Sequence, residues 1–265
     1  MKKITLTISV LCLSLFVFAQ DLTTKKGVSI LPTTGDWAIG FDGSPLFNYF
    51  GNAFNNSTGN SFSVNFLDSH QTIYGKYFTD DNTAYRAQIR IGFGGDTGVN
   101  EVSDASAGAA VDAVVENKMT DSERNIILGG GIEKRKGNTR LQGVYGGEGM
   151  IGFGGSSTSY TYGNDITDEV PFGGNRTIKS KNGGTFMLGA RAFIGAEYFI
   201  CPKVSVAVEY GWALVFESTG YGTTTVEQYD GTVVEEVETS GGSKSSSFGV
   251  DTDNTQGSIR LMLHF

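Results

Sequence analysis

Two histidines, His70 and His264, are the side chains best suited to proton transfer near neutral pH. His70 follows Asp68 and Ser69 in a polar stretch, and a hydroxyl beside a base is the arrangement used in nucleophilic catalysis. One hypothesis is therefore a lipid-modifying hydrolase centred on Ser69 and His70. A short Asp-Ser-His run in a loop more often has no chemical role, and no motif of such an enzyme accompanies it. We expect no catalytic residue.

Glycine-rich runs and cysteines give no further site. The runs at 129–131 and 152–155 are not followed by Gly-Lys-Ser/Thr, so they do not form a phosphate loop; glycines that permit close packing of strands explain them better. Cys201 is the one cysteine left after removal of a signal peptide that contains Cys12. No intramolecular disulfide can then form. We expect no metal and no cofactor.

Apolar and polar residues alternate in the segments that would position any site. A period of two residues is typical of β-strands with one apolar face. Val204, Val206 and Val208, for example, alternate with Ser205, Ala207 and Glu209. Eight segments have this pattern, at approximately 37–47, 71–79, 85–93, 123–135, 140–153, 186–198, 204–217 and 258–265.

The connections between these segments differ in length in a regular order. Three are short turns, at 80–82, 136–138 and 201–203, and they alternate with four long polar loops, at about 48–68, 95–121, 154–183 and 218–254. A soluble sandwich gives no reason for long loops to fall at one end. The pattern predicts an all-β fold, an eight-stranded antiparallel up-and-down transmembrane β-barrel with short periplasmic turns and four long extracellular loops.

The start of the chain and its charge agree with that interpretation. Lys2 and Lys3 precede an apolar stretch that ends near Ala19, which is typical of a cleaved signal peptide. We assign 1–19 to the signal peptide, 20–35 to a periplasmic segment and 36–265 to the barrel. Removing the two lysines changes the formal charge from -8 to about -10, and this acidity argues against nucleic acid as a partner.

In the predicted strands, the face opposite the apolar one contains charged residues of both signs. An eight-stranded barrel is just wide enough for side chains to fill it, so these residues are expected to pair across the interior as a structural plug. A gated proton or ion path is the alternative. The predicted interior residues are Lys76, Arg86, Arg90, Glu133, Gln142, Glu148, Arg191, Glu197, Glu209 and Arg260; His264 shares their direction.

The long loops are acidic, whereas basic residues gather at one turn. The loop at 95–121 and the loop at 218–254 contain many Asp and Glu and few Lys. This pattern favours a solvated surface, and the alternatives are divalent-cation bridging to anionic lipopolysaccharide and docking of a basic partner. The basic group beside the second short turn consists of Lys134, Arg135, Lys136 and Arg140.

The sequence resembles small outer-membrane barrels of Gram-negative bacteria, the OmpA-, OmpX- and OmpW-like group. The resemblance lies in the signal peptide, the order of strands, turns and loops, the turn at 77–83 and the last strand, 258–265. Cleavage after Ala19 resembles that of Bacteroidota proteins. The resemblance covers nearly all of the mature chain. It implies that Leu261, Leu263 and the terminal Phe265 are read by the barrel-insertion machinery.

We therefore expect a non-enzymatic integral protein of the cell outer membrane, serving as a structural or accessory subunit of an outer-membrane complex. Its expected partners are outer-membrane lipid and lipopolysaccharide, the barrel-insertion machinery and other outer-membrane proteins. The alternatives are a narrow porin-like channel for small solutes and the lipid-modifying enzyme described above.

Overall fold

The computed structural model describes residues 22–43, 72–169, 174–252 and 258–265. This part of the chain is nearly all antiparallel β-structure, with twelve strands in one sheet and a single helical turn, α1 (Ile166–Glu169). None of its helices is long and apolar enough to cross a membrane. The strands are β1 (Trp37–Asp42), β2 (Ile73–Asp80), β3 (Thr83–Ser103), β4 (Val114–Lys136), β5 (Leu141–Thr161), β6 (Asn175–Lys181), β7 (Thr185–Cys201), β8 (Val204–Thr219), β9 (Gly222–Tyr229), β10 (Val234–Gly241), β11 (Ser245–Thr252) and β12 (Ser258–His264).

Eight of these strands form a closed ring. The pairing runs β1, β2, β3, β4, β5, β7, β8 and β12, and β12 pairs again with β1. Every neighbouring pair is antiparallel. Backbone hydrogen bonds between Trp37 and Phe265, of 2.8 and 3.3 Å, extend the seam between β1 and β12. The eight strands predicted from alternation are these eight, so the prediction of an antiparallel ring is confirmed.

Three short turns lie at one end of the ring, which we call the turn end. They join β2 to β3, β4 to β5 and β7 to β8, at the positions predicted from Asp80, Lys136 and Cys201. Lys203 in the last turn has a φ of 67°, and Gly137 in the second has a φ of 145°. Left-handed backbone is uncommon for a residue with a side chain, so the tight connection at Lys203 carries some strain.

In the described residues, much of the three predicted loops at 95–121, 154–183 and 218–254 is folded as strands, which the sequence did not predict. β3 and β4 pair without interruption as far as Ser103 and Val114, so only the short segment 104–113 of the 95–121 loop lies outside strands. β6, β9 and β10 also lie in regions predicted as loops, and we call these three strands, with α1, the platform. β6 pairs with the last part of β5, at 157–159, and with β9, whose other neighbour is β10.

Residues 22–35, most of the segment predicted to precede the barrel, pack against the turn end together with Asp36. Thr23 and Ser29 form an isolated bridge, and Ile30 and Pro32 are buried. Gly35 donates a backbone hydrogen bond to Phe78 and Phe78 donates one to Asp36, at 2.8 and 2.9 Å. This segment is therefore attached to β2. The predicted signal peptide, Ser69, His70 and all of the first predicted loop lie outside the described residues.

Candidate functional site: the charged interior of the ring

Charged side chains are buried inside the ring, whereas large apolar side chains are exposed on its outer face. This distribution is the reverse of a water-soluble protein, in which Lys, Glu and Arg are almost never fully buried unless they are paired. Exposed outward residues include Phe93 at 63% and Ile194 at 62%. The buried charged residues of the ring are Lys76, Arg86, Glu133, Arg135, Glu148, Arg191, Glu197, Glu209 and Arg260.

The first cluster of ion pairs lies nearer the turn end. Lys76 is 2.9 Å from Glu133 and 3.0 Å from Glu197, so its ammonium group joins carboxylates from β4 and β7. Arg135 contacts the same two glutamates, at 3.6 and 3.2 Å. All four side chains are at most 2% exposed. Each charge in this cluster therefore has partners of the opposite sign, as burial requires.

The second cluster is centred on Glu209 of β8. Its carboxylate oxygens lie 2.7 Å from Arg260, 3.1 Å from Arg86 and 3.4 Å from Arg191. Glu148 also contacts Arg191, at 2.8 Å, and Arg86, at 3.5 Å. Residues of β3, β5, β7, β8 and β12 thus meet in the middle of the ring, so the ion pairs bridge opposite walls.

Arg86 joins the two clusters into one network. Its guanidinium is 3.5 Å from Glu133 of the first cluster, and it lies over the Phe193 ring at 4.0 Å from the centroid. Arg260 lies over Tyr74 in the same way, at 3.9 Å. Cation–π contacts of this kind strengthen when the cation is removed from water. The aromatic residues thereby fill space beside the charges.

Glycine at position 211 makes room for the second cluster. A Cβ atom there would lie 2.7 Å from the carbonyl oxygen of Ala192 and 2.8 Å from Nε of Arg191. Neither distance is compatible with ordinary contact, so any side chain would displace the arginine from Glu209. This close approach explains why a glycine occupies an inward position of β8.

Two predicted interior residues lie apart from the network. Arg90 is inward and half-buried, but it forms no ion pair within the described ranges, and its Nε has no hydrogen-bond partner. Gln142 is buried and donates to the carbonyl oxygen of Thr139 near the second turn. The structure thus brings together all the predicted charged residues except Arg90. Arg135, which the sequence grouped with the basic turn, belongs to the interior.

Ser205, His264 and Glu197 form a buried polar contact that sequence reasoning did not identify. Ser205 Oγ is hydrogen-bonded to Glu197 and lies 2.9 Å from His264 Nε2, which is 3.2 Å from the same Glu197 oxygen. In a catalytic triad the carboxylate holds the nitrogen that is remote from the serine. Here serine and carboxylate share Nε2, and all three residues are buried. The arrangement stabilises the interior and lacks the geometry of a nucleophile.

The platform is built from specific contacts. Asn164 is buried, accepts from the backbone of Ala105 at 2.8 Å and donates to that of Ser103 at 2.8 Å. Arg176 of β6 donates to the carbonyl oxygen of Asn164 at 2.9 Å and pairs with Glu227 of β9 at 3.1 Å. These contacts fasten the platform to the end of the β3–β4 hairpin, so it is a folded surface.

Comparison with family models and with curated proteins found no match to this chain. Within the described ranges, no group of His, Cys, Asp and Glu side chains has the arrangement of a metal site.

Proposed function

We propose that this protein is a non-enzymatic integral β-barrel of the outer membrane that serves as a structural or accessory subunit of an outer-membrane complex. Its ring crosses the membrane, its turn end faces the periplasm and its platform faces the cell exterior. The signal peptide inferred from the sequence supports export to that membrane.

The outward apolar band is the observation that carries this proposal. Exposed large apolar residues occur on the ring strands all around the circumference, with Trp37, Ile132 and Trp212 as examples at 60%, 47% and 58% exposure. At ~3.3 Å per residue and a tilt of ~40°, the outward run from Leu141 to Phe153 spans about 30 Å along the axis. A closed ring satisfies its backbone internally and can stand in hydrocarbon of that thickness. In water the same band would drive aggregation.

The interior network favours a structural barrel over a channel. Glu209 and its three arginines occupy the centre of the ring, and Lys76 and its glutamates occupy the section below. Moving an ion through this section would require separating buried pairs, each of which costs several kcal/mol to break. Two sections of paired charges in series support a lumen closed to solutes.

The platform supports a role in assembly. β10 pairs with β9 alone among the described strands, and nearly all of its side chains are exposed on both faces. An exposed edge strand offers backbone groups for pairing with another chain. Glu235, Glu236 and Glu238 make that edge acidic, which disfavours pairing with a second copy. We infer that a different protein binds there.

The test compares the full chain with a variant in which 223–240 is replaced by a short Gly/Ser linker, so that β9 and β10 are lost. Both tagged proteins are isolated from native outer membranes in mild detergent, and co-purifying proteins are quantified. Heat-modifiable electrophoretic mobility provides the control for folding of the ring. We expect a stoichiometric outer-membrane partner with the full chain and its loss from the folded variant.

Two results would contradict the proposal. Recovery of the full chain in soluble fractions would exclude the membrane location. Reproducible single channels from folded full-length protein in planar bilayers would replace the structural role with the porin-like one.

A further inference from the structure

A cavity of about 630 Å³ opens inside the ring at the end opposite the turn end. Residues of β4, β5, β7 and β8 form its walls, and the β6–β7 and β10–β11 connections contribute to its rim. Glu148 and Arg191 of the second cluster lie on β5 and β7, nearer the turn end than the lining residues of those strands. The cavity is therefore a cup that paired charges close from below, and its volume is typical of a ligand pocket.

Glycines at inward positions of β5 keep the cup hollow. Gly152 and Gly154 both line it and have no side chain to fill it. A Cβ atom at Gly154 would meet no atom closer than 3.7 Å, which is ordinary contact. A larger side chain at this position would therefore extend into the cup without clashing at its base.

Two carboxylates line the cup on facing walls. Glu123 belongs to β4 and Glu217 to β8. Each lies thirteen residues along its strand from the turn end, counted from Lys136 and from Val204, so the two stand at a similar height. β5 and β7 lie between their strands in the ring. Neither carboxylate forms an ion pair within the described ranges.

The direction of Glu123 keeps the two carboxylates apart. Its Oε1 would lie 3.1 Å from a Cβ atom at Gly94, so its side chain lies against β3. In the pairing order of the ring, β3 is four strands from β8 in either direction and thus directly opposite. An eight-stranded ring with strands ~4.8 Å apart and a tilt of ~40° is about 16 Å across. One ammonium group, which needs ~2.8 Å to each carboxylate, cannot contact both.

The remainder of the lining leaves these charges uncompensated. Arg124 is the cationic residue among the described lining residues, but its Nε would lie 3.2 Å from a Cβ atom at Gly155, on the outward face. The side-chain amide of Asn125 has no hydrogen-bond partner within the described part of the chain. Ile127 and Met187 supply apolar surface at the deep end of the cup.

We propose that this cup binds an aliphatic polyamine. Its ammonium groups pair with Glu123 and Glu217, and its methylene chain contacts Ile127 and Met187. An ammonium group donates charge-assisted hydrogen bonds to carboxylates, and the amide oxygen of Asn125 accepts a further one. The acidic balance of the chain raises the local concentration of cations at such a mouth. The proposal goes beyond the accessory role and does not depend on the membrane location.

The experiment is isothermal titration calorimetry of the full chain in nonionic detergent at low ionic strength, with spermidine as the probe. Butylamine tests a single ammonium group, Mg²⁺ tests charge without a chain, and maltose tests a neutral polyol. The test variants are Glu123→Gln/Glu217→Gln, which removes both carboxylates, and Gly154→Leu, which fills the cup at constant charge. The control is Glu235→Gln/Glu238→Gln, which removes the same charge from exposed positions on β10. Heat-modifiable mobility verifies the fold of each variant.

We expect one spermidine per chain and weaker binding of butylamine, Mg²⁺ and maltose. The double glutamine variant should bind spermidine about tenfold to hundredfold more weakly, because each exposed carboxylate–ammonium pair contributes about three- to tenfold. Folded Gly154→Leu should lose binding, whereas the β10 control should retain it.

Three results would overturn the site. Equal weakening in the β10 control would show diffuse attraction of cations, and unchanged binding by folded Gly154→Leu would place the ligand elsewhere. Tighter binding of Mg²⁺ or maltose than of spermidine would assign the cup to another ligand class. If Gly154→Leu does not fold, the comparison of the two double variants decides. All of these results are obtained in detergent, so they leave the outer-membrane location to its own test.

Discussion

Replacement of Glu209 by glutamine tests the interior network most directly. Glu209 contacts Arg260 at 2.7 Å, Arg86 at 3.1 Å and Arg191 at 3.4 Å, and its side chain is 0% exposed. Glutamine keeps the shape of the side chain and removes its charge. Three arginines then share fewer carboxylates in a buried site.

The expected loss of unfolding free energy depends on which carboxylates each arginine still contacts. Arg191 and Arg86 keep Glu148, at 2.8 and 3.5 Å, whereas Glu209 is the carboxylate that the structure pairs with Arg260. Leaving one buried charge without compensation costs about 3–5 kcal/mol in unfolding free energy. With a dependence of ~2 kcal/mol per molar urea, the unfolding midpoint should fall by roughly 1.5–2.5 M.

Glu217→Gln is the matched control for this measurement. Glu217 lies on the same strand and points to the same side as Glu209, but it is exposed. Its replacement should change the unfolding free energy by less than about 0.5 kcal/mol. The assay is urea unfolding in detergent or vesicles, followed by tryptophan fluorescence and by heat-modifiable mobility. Equal midpoints for the two variants would refute the argument that the buried charges stabilise the ring.

Three further predictions concern positions outside the network. Arg90→Ala should lower the unfolding free energy by less than about 1 kcal/mol in the same urea assay, because no described ion pair is lost; a loss as large as that for Glu209→Gln would show a missing partner. Hydrogen bonds from the backbone N–H groups of Val233 and Thr232 hold the pKa of Asp230 below its usual 3.8. The stabilisation from a lowered pKa is fully present above the pKa of the unfolded chain and is lost as pH falls through the pKa of the folded chain. The protection of the β9–β10 hairpin against hydrogen exchange, corrected for the intrinsic exchange rate at each pH, should therefore fall below pH 3.8 in the unmodified chain, and Asp230→Asn should remove that change. Phe265→Ser should reduce the yield of membrane-inserted protein more than Phe248→Ser, although the two side chains are similarly exposed, at 64% and 67%; equal yields would argue against a terminal insertion signal.

The eight ring strands could be predicted because one face of each is apolar and the other is small or charged. The platform could not, because β10 is exposed on both faces and its sequence has no alternation to detect. The basic neighbours of Arg135 favour a place at the turn, yet Arg135 lies two residues from Glu133 and shares its inward direction. Spacing along the strand should have outweighed local composition there.

Ser205 and Arg90 show a different limit of the sequence. Alternation places Ser205 inward, but its contact with Glu197 and His264 depends on the register between β7, β8 and β12, which composition does not specify. Arg90 has the correct direction, and only the positions of carboxylates on other strands determine that it stays outside the network. The face of a residue is local information, whereas its partner depends on strand pairing.

The path of β5 has a consequence for the energetics of binding. Its first part, at 141–154, pairs with β7 in the ring, and its last part, at 157–159, pairs with β6 of the platform. A single strand thus connects Glu148 of the charged interior to the platform without an intervening loop. A partner that docks on the platform would meet a surface that is already ordered, so it would lose little conformational entropy on association. A force that a bound partner exerts on the platform would likewise be transmitted along the hydrogen-bonded backbone of β5 to the ring.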